Sequence, residues 1–394
     1  HYLEVYFKFR VRKFMKLFKS LLVAPATLGL LAPMSATANE VTINDFNPAE
    51  ELAVTNSRVD SLEARLNNFE AGSFSTTTTA SFGADFVIGA VDGAGSGNEA
   101  TTFDYQYGMT LSTSFTGEDS LDLVIETGGG TAGAATSSAG ILDMNAMGDT
   151  MTLDGITYTF PLGDALTVMV GDSTDVSALY STACTYSAFT DLLSNCGSAT
   201  AAGLGGGYAP NSSGTADDSS SATFAASYDF GNGLTVAGGL SGAGGDDEGL
   251  FTKESLDVYG VQAAYNTDSL GVSLSYALTE TSTTADTSFF GVNAFYALDG
   301  GPSLSVGFEV EDPDASAEAT GYFVGLTWDD FGPGSFSLGM STLKNYTDAQ
   351  TELYQYEAAY SYAVNDGMTI TPGVFIKEGT TDQTGVILKT SFSF

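Results

Sequence analysis

His1 is the only histidine in the chain, and Cys184 and Cys196 are the only cysteines. His1 lies ahead of an export signal, so the mature chain has no imidazole. That removes Ser-His and Cys-His nucleophile pairs, and with them the usual outer-membrane phospholipase and protease arrangements. Two cysteines without histidine also argue against a zinc enzyme. The acidic clusters GDDEG (245–249) and EDPDASAE (311–318) could gather calcium. Neither follows the ligand spacing of an EF-hand loop, and solvated loop tips account for them better. The runs GGGT, GLGGGY and GAGG lack the Lys-Ser or Lys-Thr that completes a phosphate loop. No catalytic residue, metal or cofactor is expected. What remains is the chemistry of carboxylates, and of two cysteines twelve positions apart in an exported chain, for which an oxidised pair is the default.

The export signal begins at Met15. Lys16 and Lys19 form a basic start, Leu21 to Leu31 a short apolar stretch, and Ala36-Thr37-Ala38 a small-residue cleavage site. Residues 15–38 are expected to be removed. Residues 1–14 precede the basic start and are expected to be upstream of the true one. The whole chain carries a formal charge of -36. Six of its twelve basic residues and one acid precede residue 39, leaving 6 basic and 47 acidic residues. Such a balance excludes nucleic acid, whose phosphates need Lys and Arg. It suits water and cations.

No mature segment has the run of about 18 apolar residues that a membrane helix needs. The periodicity is that of strands. In TFDYQYGMTLSTSF, Phe103, Tyr105, Tyr107, Met109, Leu111 and Phe115 share one face, and Asp104, Gln106, Thr110, Ser112 and Ser114 the other. ELYQYEAAYSYAV repeats the pattern with Tyr354, Tyr356, Tyr360 and Tyr362. Sixteen strands are expected, near 78–90, 102–116, 120–128, 151–160, 165–172, 221–231, 234–242, 255–266, 270–280, 287–298, 303–311, 320–330, 335–343, 352–363, 368–377 and 384–394. The connections alternate between tight turns and longer links. An even strand count with tight turns at one rim is the layout of a transmembrane antiparallel β-barrel in the outer membrane. A soluble sandwich would need two matched inner faces, and no linker divides 78–394. The fold class is therefore an all-β, sixteen-stranded barrel over 74–394, preceded by a periplasmic segment, 39–73. That segment holds the one good helix pattern, at 52–69, with Val59, Leu62, Leu66 and Phe69 at coiled-coil spacing. It could join chains or lie on its own chain.

The stretch TNSRVDSLEARLNNFEAGSFSTTTTASFGADFVIG is similar to cyanobacterial outer-membrane porins, the group related to carbohydrate-selective, OprB-like porins and often labelled iron-uptake porins. The residues that carry the resemblance are Arg58, Val59, Asp60, Leu62, Glu63, Ala64 and Arg65, then Phe74, Ser75 and Thr76 to Thr78. YGVQAAYN (259–266) and the C-terminal TPGVF…GVILKTSFSF extend it. The resemblance implies passive diffusion of sugars or inorganic ions across the outer membrane. It also implies that Phe392 and Phe394 form the barrel-assembly signal. Family members usually carry a surface-layer-homology module before the helix. Here residues 39–51 occupy that place, which puts peptidoglycan anchoring in question. A homotrimer is expected by analogy with general porins.

With the aromatics facing lipid, Asp85, Asp104, Asp122, Glu126, Asp229, Glu309 and Glu357 face inward, against two inward bases, Lys377 and Lys389. A water-filled, cation-preferring pore is the expected function. The other reading is a structural or adhesive barrel with a closed lumen. The cysteines fall in the longest link, 173–220. By analogy with general porins that link folds into the barrel; equally, the pair could stiffen an external flap.

Overall fold

The computed structural model describes residues 78–93, 100–129, 138–142, 144, 148–190, 192, 196, 222–242, 252, 257–280 and 286–394. The signal segment and the helix expected at 52–69 lie outside them. The strands are β1 (Thr78–Asp92), β2 (Thr101–Thr113), β3 (Ser120–Gly128), β4 (Thr152–Leu162), β5 (Leu166–Asp172), β6 (Ala222–Asp229), β7 (Leu234–Gly242) and β8 (Asp257–Asn266). There follow β9 (Leu270–Glu280), β10 (Thr287–Ala297), β11 (Ser303–Pro313), β12 (Ala319–Phe331), β13 (Gly334–Thr342), β14 (Tyr354–Asn365), β15 (Met368–Lys377) and β16 (Gln383–Ser393). One helical turn, α1 (Ser138–Ile141), lies between β3 and β4. Among the described residues no helix is long and apolar enough to cross a membrane.

Each strand pairs antiparallel with its sequence neighbour, and β16 returns to β1, closing a sixteen-stranded barrel. Closure leaves no edge, so every wall strand meets a partner on both sides. The seam runs from Gly83↔Ser393 to Asp92↔Thr384. The last residue belongs to it: Phe82 N donates to Phe394 O at 2.8 Å and Phe394 N to Phe82 O at 3.1 Å. Their rings stack with centroids 5.6 Å apart, and Phe392 meets Phe86 edge-on at 6.0 Å.

The register turns alternation into two faces. Phe86 pairs with Tyr105 and Ile88 with Phe103 on one face, while Asp85 pairs with Gln106 and Val87 with Asp104 on the other. Phe103 is 64% exposed and Val87 fully buried. Exposed apolar side chains continue around the barrel through Phe224, Leu274, Tyr296, Val324 and Val386. Such a belt is stable only against hydrocarbon.

Turn chemistry sets the strand ends. The expected β2 ran to 116, but the strand stops at Thr113 because a carboxylate gathers the next residues. Asp119 Oδ1 accepts from Ser114 Oγ (2.8 Å), Phe115 N (2.9 Å), Thr116 N (2.8 Å) and Thr116 Oγ1 (2.8 Å). Tyr158 OH donates to its Oδ2 at 2.7 Å. The β6–β7 turn ends β6 before its expected limit, with Gly231, Asn232 and Gly233 at φ 72, 58 and 84°. At Gly233 a Cβ would also run into the carbonyl oxygen of Asn266.

The Tyr158 hydrogen bond, more than the backbone and hydroxyl donors, holds the Asp119 carboxyl well below the usual carboxylate range. Its stabilising effect is therefore present above the ordinary carboxylate pKa of about 4 and is lost as pH falls through the lower native value. Asp119→Asn is expected to lower the thermal unfolding temperature in detergent at neutral pH. It is also expected to flatten the acid limb of stability below about pH 4. An unchanged acid limb would refute the role assigned to this carboxylate.

Candidate functional site

The inner face is the site. Asp85, Asp104, Asp122 and Glu126 lie on three adjacent strands, β1 to β3, at inward register positions, and all four are partly exposed. Gln106 Nε2 donates to Asp85 Oδ2 at 2.6 Å. Asp229 has inward parity but sits exposed at the short-turn rim, where its Oδ1 accepts from Gly231 N at 2.8 Å. Lys377 lies between Gln355 and Gln383, and Lys389 between Thr371 and Val87. Glu309 and Glu357 also point inward, but they are 0% and 4% exposed. Asn345 Nδ2 covers Glu309, donating to its Oε1 at 2.9 Å. Glu357 is covered by the link between β5 and β6.

That link enters the barrel. Ser173, at φ 51°, begins its turn from β5. Residues 174–190 then cross the inner wall, through a turn at 176–179 and an irregular stretch after it, and the strands reach up to catch the backbone. Thr223 Oγ1 of β6 donates to Thr174 O at 3.0 Å. Ser181 N donates to Gln262 Oε1 of β8 (2.8 Å), Ala183 N to Ser273 Oγ of β9 (3.1 Å) and Thr185 N to Ser305 Oγ of β11 (3.1 Å). Four residues at strand rise span about 13 Å and three strand spacings about 14 Å, so the link runs across the strands. It then reaches Glu357 of β14. Oε1 accepts from Tyr186 OH (2.6 Å) and Phe189 N (2.8 Å). Oε2 accepts from Thr190 N (2.6 Å) and from Thr190 Oγ1. Cys184 and Cys196 are joined as a disulfide, Cα atoms 6.2 Å apart, so that the residues gripping Glu357 lie within one covalent loop. Near the start of the link, burial with Asp154 nearby pushes the Asp175 carboxyl up.

The link lies flat because the wall beneath it is stripped of side chains. A Cβ at Gly239 would lie 2.6 Å from Val176 O, and one at Gly325 2.5 Å from Tyr186 Cδ2. Cβ atoms at Gly307, Gly339 and Gly373 would strike Cys196 O, Tyr186 OH and the Phe189 ring. All five are inward positions in mid-strand. Sequence reasoning missed this footprint. Glycine inside a strand where no turn is due is the signal for close approach of another backbone.

A second link enters beside it. Ile141 of α1 and Met144 share an apolar cluster with Val87 and Val91 of β1, Phe375 of β15, Ile387 of β16 and Phe189 of the β5–β6 link. Two inserted segments thus meet over the β14–β1 arc. The described hydrogen bonds of the first segment fall on β6 to β14, and α1 packs on β1 and β2, while Asp85, Asp104, Asp122 and Glu126 stay partly exposed.

No protein-family profile matches the chain. An uncharacterised protein of Nostoc sp. is 31% identical over 157 residues, which is 36% of this chain and 27% of that protein. The match spans about a quarter of that relative's length. Among solved structures, a triple mutant of the Rhodopseudomonas blastica porin aligns with a TM-score of 0.56 at 14% identity, covering 80% of this chain and 100% of that one. Pseudomonas putida OprB aligns with a TM-score of 0.58 at 13% identity, covering 81% and 94%. At these identities the likeness is one of architecture: the chain folds as a closed sixteen-stranded antiparallel barrel of the porin type.

Proposed function

We propose that the protein is an outer-membrane porin, a water-filled channel for passive diffusion of small hydrophilic solutes, with a preference for cations. The observation that carries this reading is the course of the β5–β6 link. It is pinned against the inner wall from β6 to β14, so it narrows the lumen, and the acids of β1 to β3 stay partly exposed beside it. Four carboxylates on one arc raise the local cation concentration and repel anions. The solutes in view are inorganic ions, iron species among them, and carbohydrates. The similarity to cyanobacterial porins and the Nostoc relative support a cyanobacterial outer membrane, and the fold supports a homotrimer. The short turns then face the periplasm.

A closed structural barrel is the second reading. The cluster joining Ile141, Met144 and Phe189 favours it, since apolar contact between two inserted links is how a lumen would be sealed. Planar-bilayer recording separates the two. The porin reading expects discrete channels whose reversal potential in a potassium chloride gradient indicates cation preference. That preference should fade between 0.1 and 1 M salt as the Debye length falls from about 10 Å to about 3 Å. Asp104→Asn with Glu126→Gln should move the reversal potential toward zero, whereas Glu309→Gln, being sealed from the lumen, should leave it in place. Absence of channels from heat-modifiable, β-rich protein would favour the closed barrel.

A further inference from the structure

We infer that the short-turn side of the lumen holds a binding site for a small oxyanion, a phosphate- or carboxylate-bearing solute, centred on Lys389. The inference rests on the lumen being a solute path, and it concerns the wall that adjoins the acidic arc at the β16–β1 seam. Beneath the β5–β6 link a cavity of about 430 Å³ opens against the inner faces of β12 to β16. That volume lies within the range of about 300–1,000 Å³ of small-molecule sites. Its walls are hydroxyls, with Ser337, Ser361, Thr371 and Ser391 among them, and its roof includes Ser187 and Phe189 of the link. Lys389 is the only cationic side chain lining it.

The composition selects the ligand. Lys389 sits partly buried opposite Thr371 and is engaged in no ion pair with a described residue. An ammonium offers only donors, and serine and threonine hydroxyls turn to donate beside it. A metal cation would find no carboxylate in the centre of such a site. An oxygen-rich anion would find several donors and one full charge, which is the combination that makes strong hydrogen bonds. Two carboxylates oppose this. Asp329 lines the cavity at its exposed rim. Asp85 faces Ser391 across the seam, one diagonal from Lys389. Its Oδ2 is held toward β2 by Gln106 Nε2 at 2.6 Å, away from the lysine. The roof matters as well. Phe189 is fixed by its amide on Glu357, at 2.8 Å, so the cavity keeps its shape without a ligand.

A cation-preferring pore would then carry one station at which an anion can pause on the periplasmic side of the narrowing. Inorganic phosphate is the probe. With purified protein in planar bilayers, phosphate added on the short-turn side should depress potassium chloride conductance in a saturable way. Lys389→Gln should weaken that effect about tenfold or more, the loss of one charge-assisted hydrogen bond. Lys389→Arg should retain it. Titration of detergent-solubilised protein with phosphate, followed by phosphorus-31 line broadening, tests the same site without conductance. If the wild type forms no channel but broadens the phosphate line in a Lys389-dependent way, the porin reading fails and the site stands. If channels form normally and phosphate neither blocks nor broadens, or does so equally in Lys389→Gln, the site is refuted.

Discussion

Glu357→Ala is expected to raise single-channel conductance and make it noisy while leaving the barrel folded. The Glu357 carboxylate is a central anchor of the inserted link, taking donors from Tyr186, Phe189 and Thr190. Hydrogen bonds to a charged acceptor contribute about 1.5–3 kcal/mol each, and a buried donor left without its partner costs about 1–3 kcal/mol. Phe189 and Thr190 are 6% and 3% exposed, so their amides regain water only if the segment lifts from the wall. Lifting is therefore the cheaper state once the carboxylate is gone. Nothing comparable happens to the wall, because β14 keeps its ladders to β13 and β15. Glutamine is not a rescue. Both carboxylate oxygens accept from amides, and a glutamine would present an NH2 group to one of those donors. Glu357→Gln should fall between wild type and alanine. Heat-modifiable mobility on gels checks the barrel, and bilayer recording checks the pore. Unchanged conductance in both variants, with the barrel intact, would show that the link does not depend on Glu357.

The two faces of the wall were legible because alternation at period two is a direct consequence of strand geometry. Phe103 and Asp104 fall on opposite sides of β2 whatever surrounds them. Strand count and closure followed from the turns, each marked by Gly, Asn, Asp or Pro. Alternation says which face a residue takes, and it is silent on what covers that face. Glu357 and Asp104 have the same parity, yet one is sealed under the link and the other is partly exposed. The sealing had a trace in the sequence. Val386, Ile387 and Leu388 are apolar in succession, as are Val374, Phe375 and Ile376. A run apolar on both faces belongs to a strand covered on both sides. Ile387 and Phe375 prove to be 0% and 2% exposed on the inner face. The mid-strand glycines at 307, 325, 339 and 373 carried the same message for the β5–β6 link. The path of that link was not legible, because its anchors are single hydroxyls and amides on distant strands. Ser273 and Ser305 look like any polar inward residue until a backbone N–H is found upon them.

Reducing the Cys184–Cys196 disulfide is expected to loosen the same segment, and to do so far more in Glu357→Ala than in the wild type. The bond closes a loop of sequence separation 12. Chain-entropy arguments put the value of such a closure at about 3 kcal/mol. Cys196 is held at its own end, since Asn293 Nδ2 donates to its carbonyl oxygen at 2.9 Å. In the wild type the reduced segment therefore keeps its other grips, Ser305 on Thr185 at one end, Glu357 in the middle and Asn293 at the other end. Reduction should add flicker to the channel with a small change in mean conductance. Without Glu357 the restraints left on Tyr186 to Thr190 are Gln355 Nε2 on Thr190 Oγ1, the apolar contacts of Phe189 and the disulfide, so breaking the disulfide should loosen the segment further. The two changes act on one element and must couple, which a double-mutant cycle reads as an effect larger than the sum of its parts. The measurement is conductance and current noise for wild type, Glu357→Ala, Cys184→Ser with Cys196→Ser, and the triple variant, with oxidation verified by mass. Coupling is the expected result. Strict additivity would mean that the carboxylate and the disulfide restrain different parts of the link, and that the single latched element described here does not exist.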